Sequence, residues 1–402
     1  MKVGDLVDAG HAEIKTGPFG TQLRASDYVE HGRPVLNVRN VGFGDVRPKD
    51  LEHVDEGTAE RLSTHLLKVN DIVFGRKGAV ERHALISEKY DGAMQGSDCI
   101  RLRVSEDSPM QARFITFALR TQQHQKWMQA FCSHGATMAS LNQDIVRQIP
   151  LPDIDSAHQE LAVAVLQNID DLIDNNQRRV QILEEMARAT YREWFVKFRY
   201  AGHEDVALVD SAHGPIPEGW RCEQVDSLVF LQRGFDLPQR DREAGPIPII
   251  GASGVQGSHS ASKAQGPGVA TGRSGTVGVV TYVPGEYWPL NTALWVKEFR
   301  LATPRYAFFL LEELDLKRAA SGAAVPTLDR KVVHALPAVC PPKDLIERWD
   351  AAMVPTFETV EALRAQSDRV AALRDLLLPK LVTGQIDVSM LDLDALVEGR
   401  AA

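Results

Sequence analysis

The feature that most constrains the fold of this chain is an internal repeat. Residues 135–152 (GATMASLNQDIVRQIPLP) and 322–339 (GAAVPTLDRKVVHALPAV) align without a gap at an offset of 187. Upstream, an apolar run enters a Gly-Arg-x-Gly-x-Val loop in both halves, with Arg76 in the first and Arg273 in the second. The motifs follow the same order in both halves, which predicts a duplicated unit of about 190 residues.

Two kinds of sequence alternate within each half. Residues 1–150 and 217–338 are rich in Gly, Pro and short β-branched runs. Residues 157–198 and 343–381 keep helical spacing, apart from Pro355. These patterns predict an α+β fold, with two α/β domains related by internal duplication and joined by two long helices. The predicted bounds are 1–152 for the first domain, 153–200 for the first long helix, 201–216 for a linker, 217–340 for the second domain, and 341–390 for the second long helix with the C-terminal tail.

A heptad pattern runs through both long helices. The predicted seam of the first helix is Leu166, Ile169, Ile173, Asn176, Val180 and Leu183. The matching positions of the second helix are Leu363, Gln366, Val370, Leu373 and Leu377. Each seam has a polar residue near its middle, and a single polar seam residue is a known way to fix helix register. Helices of about 40 residues form rods of roughly 60 Å, long enough to hold two domains at a set distance.

Composition limits the possible functions. The net charge of −9 argues against binding DNA through charge alone, although the first 150 residues carry 19 basic and 19 acidic residues and leave room for a basic face. The four cysteines are scattered without a CxxC pair, which argues against a zinc site or a disulfide framework. No apolar run approaches the roughly 18 residues of a membrane span, and no signal peptide is recognised, so a cytoplasmic location is expected.

Four further motifs occur in a fixed order along the chain. They are Gly17-Pro18-Phe19-Gly20-Thr21-Gln22-Leu23, Tyr191-Arg192-Glu193-Trp194-Phe195, Pro215-Ile216-Pro217-Glu218-Gly219-Trp220 and Leu378-Pro379-Lys380-Leu381-Val382-Thr383-Gly384-Gln385-Ile386. Together with the repeat, they make nearly the whole chain resemble the specificity subunits of type I restriction-modification systems. The second half departs from the family pattern, because only Gln232-Arg233-Gly234-Phe235 stands where the first half has its Gly-Pro-Phe-Gly loop.

The resemblance implies a fold, partners and a cofactor. It implies two target-recognition domains and two helices that pair antiparallel as a coiled coil. It implies binding to double-stranded DNA with a bipartite target and an unread spacer. The partners it implies are two methyltransferase subunits, with or without restriction and translocase subunits. S-adenosylmethionine is expected on the methyltransferase partner, and no cofactor or metal is expected in this chain.

The residues themselves favour a chain that is not an enzyme. The sequence has no GxxxxGK[ST] phosphate loop, no HExxH motif and no Asn-Pro-Pro-aromatic motif of the kind that amino-methyltransferases use around a flipped base. The carboxylate pairs Asp170-Asp171 and Glu184-Glu185 lie on the first long helix, where a solvated helix face explains them better than an acid/base pair. Trp194 and Phe195 are interpreted as core residues rather than as platforms for stacking bases.

The Gly-Arg-x-Gly loops are the leading candidates for DNA contact. A glycine on each side lets the backbone approach a ligand closely. Arg76 and Arg273 carry the bidentate fork that suits guanine O6 and N7, or a phosphate. The alternative is a tight hairpin with a solvated arginine, and recurrence of the loop in both repeats favours DNA contact.

Two other groups complete the predicted DNA-contacting set. Small-residue loops at 133–137 and 321–324 carry hydroxyl groups for phosphates or base edges, although Ser140 or Thr327 are equally good as helix N-caps. Asparagine and arginine after the apolar strand at 34–38 suit adenine and guanine, although strand-end asparagine is also common turn chemistry. The full predicted set is Phe19, Gln22, Arg24, Asn37, Arg39, Asn40, Arg76, Lys77, His134, Thr137, Asn142, Arg233, Ser253, Arg273, Ser274, Ser321 and Thr327.

Two other classes of function remain open at this point. An enzyme with degenerate motifs would cleave or methylate DNA without partners. A structural coiled-coil scaffold with two protein-binding domains would show no sequence preference in any DNA-binding assay of its complex.

Overall fold

The computed structural model describes residues 1–20, 22–132, 139–212, 214–322 and 326–386. The chain divides into two compact units, Met1–Asn176 with Gln366–Ala402, and Gln177–Ala365. The division cuts both long helices, so each unit contains one α/β domain and a part of each helix. The predicted bounds instead separated the helices from the domains.

The first unit combines an α/β domain with parts of both long helices. Its helices are α1 (Val3–Asp8), α2 (Glu56–Arg61), α3 (Ala112–Leu119), α4 (Gln122–Cys132), α5 (Gln143–Gln148) and the first part of α6 (Ser156–Tyr191). Its strands are β1 (Ala12–Thr16), β2 (Tyr28–Val29), β3 (Arg33–Leu36), β4 (Phe43–Gly44), β5 (Glu52–Val54), β6 (Ile72–Gly75), β7 (His83–Leu85), β8 (Met94–Gln95) and β9 (Cys99–Val104). They form a five-stranded sheet, β1-β9-β6-β7-β4, and a four-stranded sheet, β2-β5-β3-β8.

The second unit repeats this architecture. Its strands are β10 (Leu208–Val209), β11 (Ile216–Pro217), β12 (Arg221–Gln224), β13 (Val229–Arg233), β14 (Ile247–Gly251), β15 (Gly254–His259), β16 (Gly268–Gly272), β17 (Val280–Val283), β18 (Trp288–Pro289), β19 (Ala293–Phe299) and β20 (Pro337–Cys340). Its helices are α7 (Val225–Leu228), α8 (Pro304–Glu313), α9 (Arg330–His334) and the first part of α10 (Lys343–Val382). The sheets are β13-β19-β16-β17 and β15-β14-β18, with the pairs β10-β11 and β12-β20.

The strand order shows the duplication directly. The order β1-β9-β6-β7 in the first unit matches β13-β19-β16-β17 in the second, strand for strand. The parallel pair β3 with β8 is matched by the parallel pair β14 with β18. The predicted α+β fold with an internal duplication is therefore confirmed.

Each unit has its own hydrophobic core. In the first, Phe114 and Phe117 of α3 pack in one cluster with Ile72 and Phe74 of β6. The second core includes a group of aromatic residues, among them Tyr191, Phe195, Trp220, Tyr306, Phe309 and Trp349. Phe195 is buried in it and Trp194 packs against it, as expected of core residues.

The long helices run antiparallel within each unit. In the first unit, the imidazole of His158 hydrogen-bonds the carbonyl of Leu381 at 2.8 Å, and the amide of Asn176 donates to Oε1 of Gln366 at 3.0 Å. The residue number on α10 therefore falls as the number on α6 rises. In the second unit, Val180 packs with Val360, whereas Tyr191 lies against Trp349. The predicted antiparallel pairing is confirmed.

Most predicted seam residues are buried or half-buried. Leu166, Ile173, Asn176, Val180 and Leu363 are buried, and Ile169, Leu183, Gln366, Val370 and Leu377 are half-buried. The prediction for Leu373 is wrong, because its side chain is 49% exposed. Arg374 faces the seam instead and is only 22% exposed. Leucines stand at positions 373, 376, 377 and 378, so the heptad pattern can be placed in more than one phase here. In the phase that the structure shows, Arg374 forms an ion pair with Asp170.

The carboxylate pairs of α6 are also corrected in part. Asp170 was interpreted as a solvated residue, but its side chain is 24% exposed and contacts two arginines. Within the described ranges, no helix is both long enough and apolar enough to cross a membrane. The four cysteines are free thiols, of which Cys222 alone is exposed.

Candidate nucleic-acid interface

The Gly-Arg-x-Gly loop of the first unit is hydrogen-bonded to the segment that precedes α5. The loop leaves β6, and the backbone N–H of Arg76 donates to the carbonyl of Asp98 at 2.9 Å. The carbonyl of Arg76 accepts from the N–H of Leu141 at 2.8 Å, and Lys77 forms an isolated bridge with Ser140. Two motifs that lie about 65 residues apart in the sequence therefore form one structure.

The second unit reproduces these bonds. The N–H of Arg273 donates to the carbonyl of Thr292 at 2.8 Å, and its carbonyl accepts from the N–H of Leu328 at 2.8 Å. Ser274 forms an isolated bridge with Thr327, as Lys77 does with Ser140. Gly78 and Gly275, which close the two loops, have φ values of 79° and 85°, a backbone conformation that favours glycine.

A third loop contributes a glycine and an aromatic ring in each unit. The N–H of Gly17 donates to the carbonyl of Cys99, and that of Gly234 donates to the carbonyl of Ala293. A Cβ at Gly17 would lie 2.0 Å from the carbonyl oxygen of Gly96, and one at Gly234 would lie 2.2 Å from that of Leu290. Glycine is therefore needed at both positions. The sequence left open whether the segment containing Gly234 corresponds to the Gly-Pro-Phe-Gly loop of the first half. The matching bonds show that it occupies the corresponding position in the second unit.

Together these segments define two loop clusters. The first loop cluster comprises residues 17–20, 75–80 and 139–142, and the second comprises 234–235, 263, 272–277 and 326–328. In the first, Phe19 is 55% exposed and the guanidinium of Arg76 lies 5.2 Å from its ring centre. In the second, Phe235 is half-buried, with the ammonium of Lys263 5.9 Å from its ring centre. Each cluster thus combines a cation, an aromatic ring and a glycine-lined backbone, which are groups that suit base edges and phosphates.

The helix caps differ from those considered in the sequence. Oδ1 of Asn142 accepts from the N–H of Ile145 at 2.8 Å and caps α5. Oδ1 of Asp329 accepts from the N–H of Lys331 at 2.8 Å and caps α9. Ser140 and Thr327 are therefore not the N-caps. The reason is that the leucines at 141 and 328 are fully buried, which places the next residue at the start of each helix.

The structure also corrects the third predicted group. Asn40 is 1% exposed, and its amide donates to the carbonyls of Arg47 and Lys49. It closes a turn and is not placed to contact DNA, so this prediction is wrong. Asn37 donates to Glu52 at 2.7 Å, and Arg39 pairs with the same carboxylate at 2.9 Å. Both side chains remain partly exposed, and DNA contact by them stays a prediction.

The remaining predicted residues lie on the surface or near it. Gln22, Arg24, Lys77, Arg233, Ser253 and Ser321 are exposed, and Arg273, Ser274 and Thr327 are half-buried. Lys77 lies 3.4 Å from Asp98, and Arg233 lies 3.9 Å from Asp236. His134 and Thr137 lie outside the described residues. Ser253 stands at the turn between β14 and β15.

One buried thiol supports the first loop cluster. Burial raises the pKa of Cys99 to about 12, so the thiol stays protonated. It donates to the carbonyl of Leu36 at 3.3 Å. The thiol thus links β9 to the end of β3, and its burial and protonation do not suit a nucleophile.

Comparisons with known proteins agree with this geometry. A family model described as "Type I restriction modification DNA specificity domain" matches residues 29–185. The type I restriction enzyme MjaIX specificity subunit of Methanocaldococcus jannaschii is 23% identical over 304 residues, which cover 70% of each chain. The chain is thus similar to the specificity subunits of type I restriction-modification systems. The crystal structure of the S subunit of a type I system from M. genitalium covers 95% of both chains with a TM-score of 0.57 at 14% identity, which shows a shared fold.

These relatives are named as specificity subunits or specificity domains, which agrees with the expectation of a recognition component rather than an enzyme. Sequence reasoning missed Lys263, which also lies 5.2 Å from the ring of Trp288. Its position 28 residues beyond Phe235 carries no local signal. Phe235 itself was identifiable, because Gly234 aligns with Gly17 and an aromatic residue follows soon after each glycine.

Proposed function

We propose that this chain is a specificity subunit that reads a bipartite DNA target through its two loop clusters, one half-site for each unit. The observation that carries the proposal is the repetition of the same backbone bonds around Arg76 and Arg273. An arginine fork held by a glycine-lined loop at a fixed backbone position suits bidentate contact with guanine. Two such positions in one chain suit two half-sites.

The partner that acts on the target is proposed to be an adenine methyltransferase. Type I specificity subunits assemble with methyltransferase and restriction subunits. We propose two methyltransferase subunits for this chain, because the duplicated unit presents the same architecture twice. S-adenosylmethionine would bind to these partners, since the sequence lacks the Asn-Pro-Pro-aromatic motif that surrounds a flipped base. A complex that acts on the genome in this way would work in the cytoplasm.

Sequencing of methylated adenines in DNA exposed to the assembled complex tests the proposal. The expected result is one target with two specified half-sites and an unspecified spacer between them. A complex that lacks this chain serves as the control and should leave that target unmethylated. Methylation or cleavage by the purified chain alone would support an enzyme, and methylation without sequence preference would support a scaffold. Either result would refute the proposal.

A further inference from the structure

One carboxylate connects the end of α3 to both long helices. Arg120, the residue that follows α3, donates to Oδ2 of Asp170 on α6 at 2.5 Å and to Oδ1 at 3.3 Å. Arg374 on α10 donates to Oδ1 of the same carboxylate at 3.0 Å. The three side chains are only 15%, 24% and 22% exposed. Water therefore competes with this ion cluster less than with an ordinary surface ion pair.

The charge of Asp170 is maintained by its neighbours. Burial raises the pKa of its carboxyl group, but the hydrogen bonds and positive charges of Arg120 and Arg374 outweigh burial and lower the pKa overall. The carboxylate thus stays ionised at neutral pH. It accepts charge-assisted hydrogen bonds, which are stronger and more directional than hydrogen bonds between neutral groups.

The second unit has a corresponding connection with the charge reversed. Residues 113–120 (RFITFALR) align with 305–312 (RYAFFLLE) at an offset of 192, so Glu312 stands where the first unit has Arg120. Glu312 accepts two hydrogen bonds of 3.1 Å from Arg188 on α6. Arg305 donates to Asp350 on α10 at 2.9 Å. In the second unit the domain therefore pairs directly with both long helices, whereas in the first unit Arg120 pairs with α6, whose Asp170 in turn binds Arg374 of α10.

These ion pairs restrict rocking of α3 on α6, a motion that apolar packing alone would allow. The apolar contacts of α3 in the core are non-directional and tolerate small sliding movements. Charge-assisted hydrogen bonds lose energy steeply when donor and acceptor shift. The α3 helix and β6 share one core, and β6 leads into the loop that carries Arg76. Rocking of α3 on α6 would therefore move the arginine that is proposed to contact bases.

We propose that the Arg120–Asp170–Arg374 cluster fixes the angle at which the first domain meets the long helices, and so restricts the specificity subunit to one spacer length. Arg120, Asp170 and Arg374 are positioning residues in this proposal, since they do not themselves contact DNA. The proposal rests on the proposed function, in which the domain reads one half-site.

The test compares two variants, each of which removes one of the two arginine partners of Asp170. Arg120→Gln removes the ion pair between the domain and α6 but keeps the hydrogen bonds of Arg113 with Gln167 and of Gln111 with Gln159. Arg374→Gln, by contrast, removes only the contact between the long helices. A third variant, Glu184→Gln, removes an exposed ion pair of α6 with Arg364 that involves no domain. Each variant is assembled with its partners. Methylation is measured on duplexes whose mapped half-sites are separated by the mapped spacer, or by one base pair more or fewer.

The readout is the ratio of methylation at the mapped spacer to methylation at the altered spacers. Loss of a charge-assisted hydrogen bond to a partly buried group should lower this ratio at least about tenfold for Arg120→Gln. Arg374→Gln and Glu184→Gln should keep the ratio within about twofold of the unmodified complex, even where they lower the melting temperature. Arg120→Lys, which keeps the charge with a single contact, should give an intermediate ratio and serves if Arg120→Gln does not assemble.

An unchanged ratio in both Arg120 variants would overturn the proposal. Equal changes in Arg120→Gln and Arg374→Gln would also overturn it, because the cluster would then act through general stability. These failures are distinct from failure of the proposed function, which would appear as the absence of a bipartite target in the unmodified complex.

Discussion

The long helices should set the length of the unread spacer, and lengthening both of them tests this directly. Asn176 faces Gln366 across the helix pair in the first unit. Seven residues inserted between 176 and 177, and seven between 365 and 366, therefore enter the pair at the same level. A heptad keeps the seam in phase and leaves the hydrogen bond between Asn176 and Gln366 in place.

The expected change in spacer follows from the helix rise. Seven residues at 1.5 Å each add about 10 Å to each helix. Base pairs stack about 3.4 Å apart along DNA, so the spacer should grow by roughly three base pairs. Three base pairs also turn the second half-site by roughly 100° around the DNA axis, since a turn contains about 10.5 pairs. DNA twist or rotation of a domain must absorb this turn, so reduced activity is expected along with the longer spacer.

Sequencing of methylated adenines measures the spacer of the lengthened complex. The control places the same heptad between Asp210 and Ser211, in the turn that joins β10 and β11, where the spacer should not change. Insertion into α6 alone should place the seams out of register and lower the melting temperature. A folded and active double insertion that retained the original spacer would refute the reasoning and leave the helices as a docking platform only.

Three further predictions concern single residues. Arg76→Ala should lower sequence discrimination at one half-site and Arg273→Ala at the other, each by about 1 to 3 kcal/mol. Methylation mapping measures this loss, and an equal loss of binding to all DNA sequences would instead identify the two arginines as phosphate contacts. Gly17→Ala should lower the free energy of unfolding by more than about 2 kcal/mol in denaturant titration, because its Cβ would meet a carbonyl at 2.0 Å, whereas Gly285→Ala, with nothing within 4 Å, should change it little. Burial lowers the pKa of His83 from 6.5 to about 4, so the unfolded chain binds a proton that the folded chain does not, and stability should fall by up to about 3 kcal/mol between pH 6.5 and pH 4; a His83→Gln variant that folds and loses as much stability over this window would contradict that account.

The parts of the site that the sequence predicts are those set by local structure. An apolar strand followed by Gly-Arg-x-Gly predicts the loop around Arg76, whereas the N-caps of α5 and α9 are Asn142 and Asp329 rather than Ser140 and Thr327. The recurrence of the motifs in the same order also indicated that both halves fold alike, which the matching strand orders confirm. The contact between the Arg76 loop and Leu141 was not predictable, because it depends on how the sheet and α5 pack.

The corrected residues share a dependence on partners that are distant in sequence. Asp170 looks like an ordinary surface residue of a helix, but its partners lie 50 and 204 residues away. Leu373 fits the heptad pattern but is exposed, while the neighbouring Arg374 lies against Asp170 of the other long helix. Asparagine is a residue type that can pair with adenine, but the amide of Asn40 donates instead to the backbone carbonyls of the following turn. In each case the side chain type was compatible with two environments.

The charges around the loop clusters explain how an acidic chain can act on DNA. Three exposed cations of the predicted set, Arg39, Lys77 and Arg233, each have a carboxylate within 4 Å. Such pairing reduces the attraction for phosphates that any DNA would satisfy. Within the described ranges, Arg76 and Arg273 have no carboxylate partner; one lies over Phe19 and the other donates to the carbonyl of Asn291. We expect these forks to exchange the weak contacts for a base edge, so that the chain would contribute discrimination between sequences and the partner subunits would supply most of the affinity for the DNA backbone.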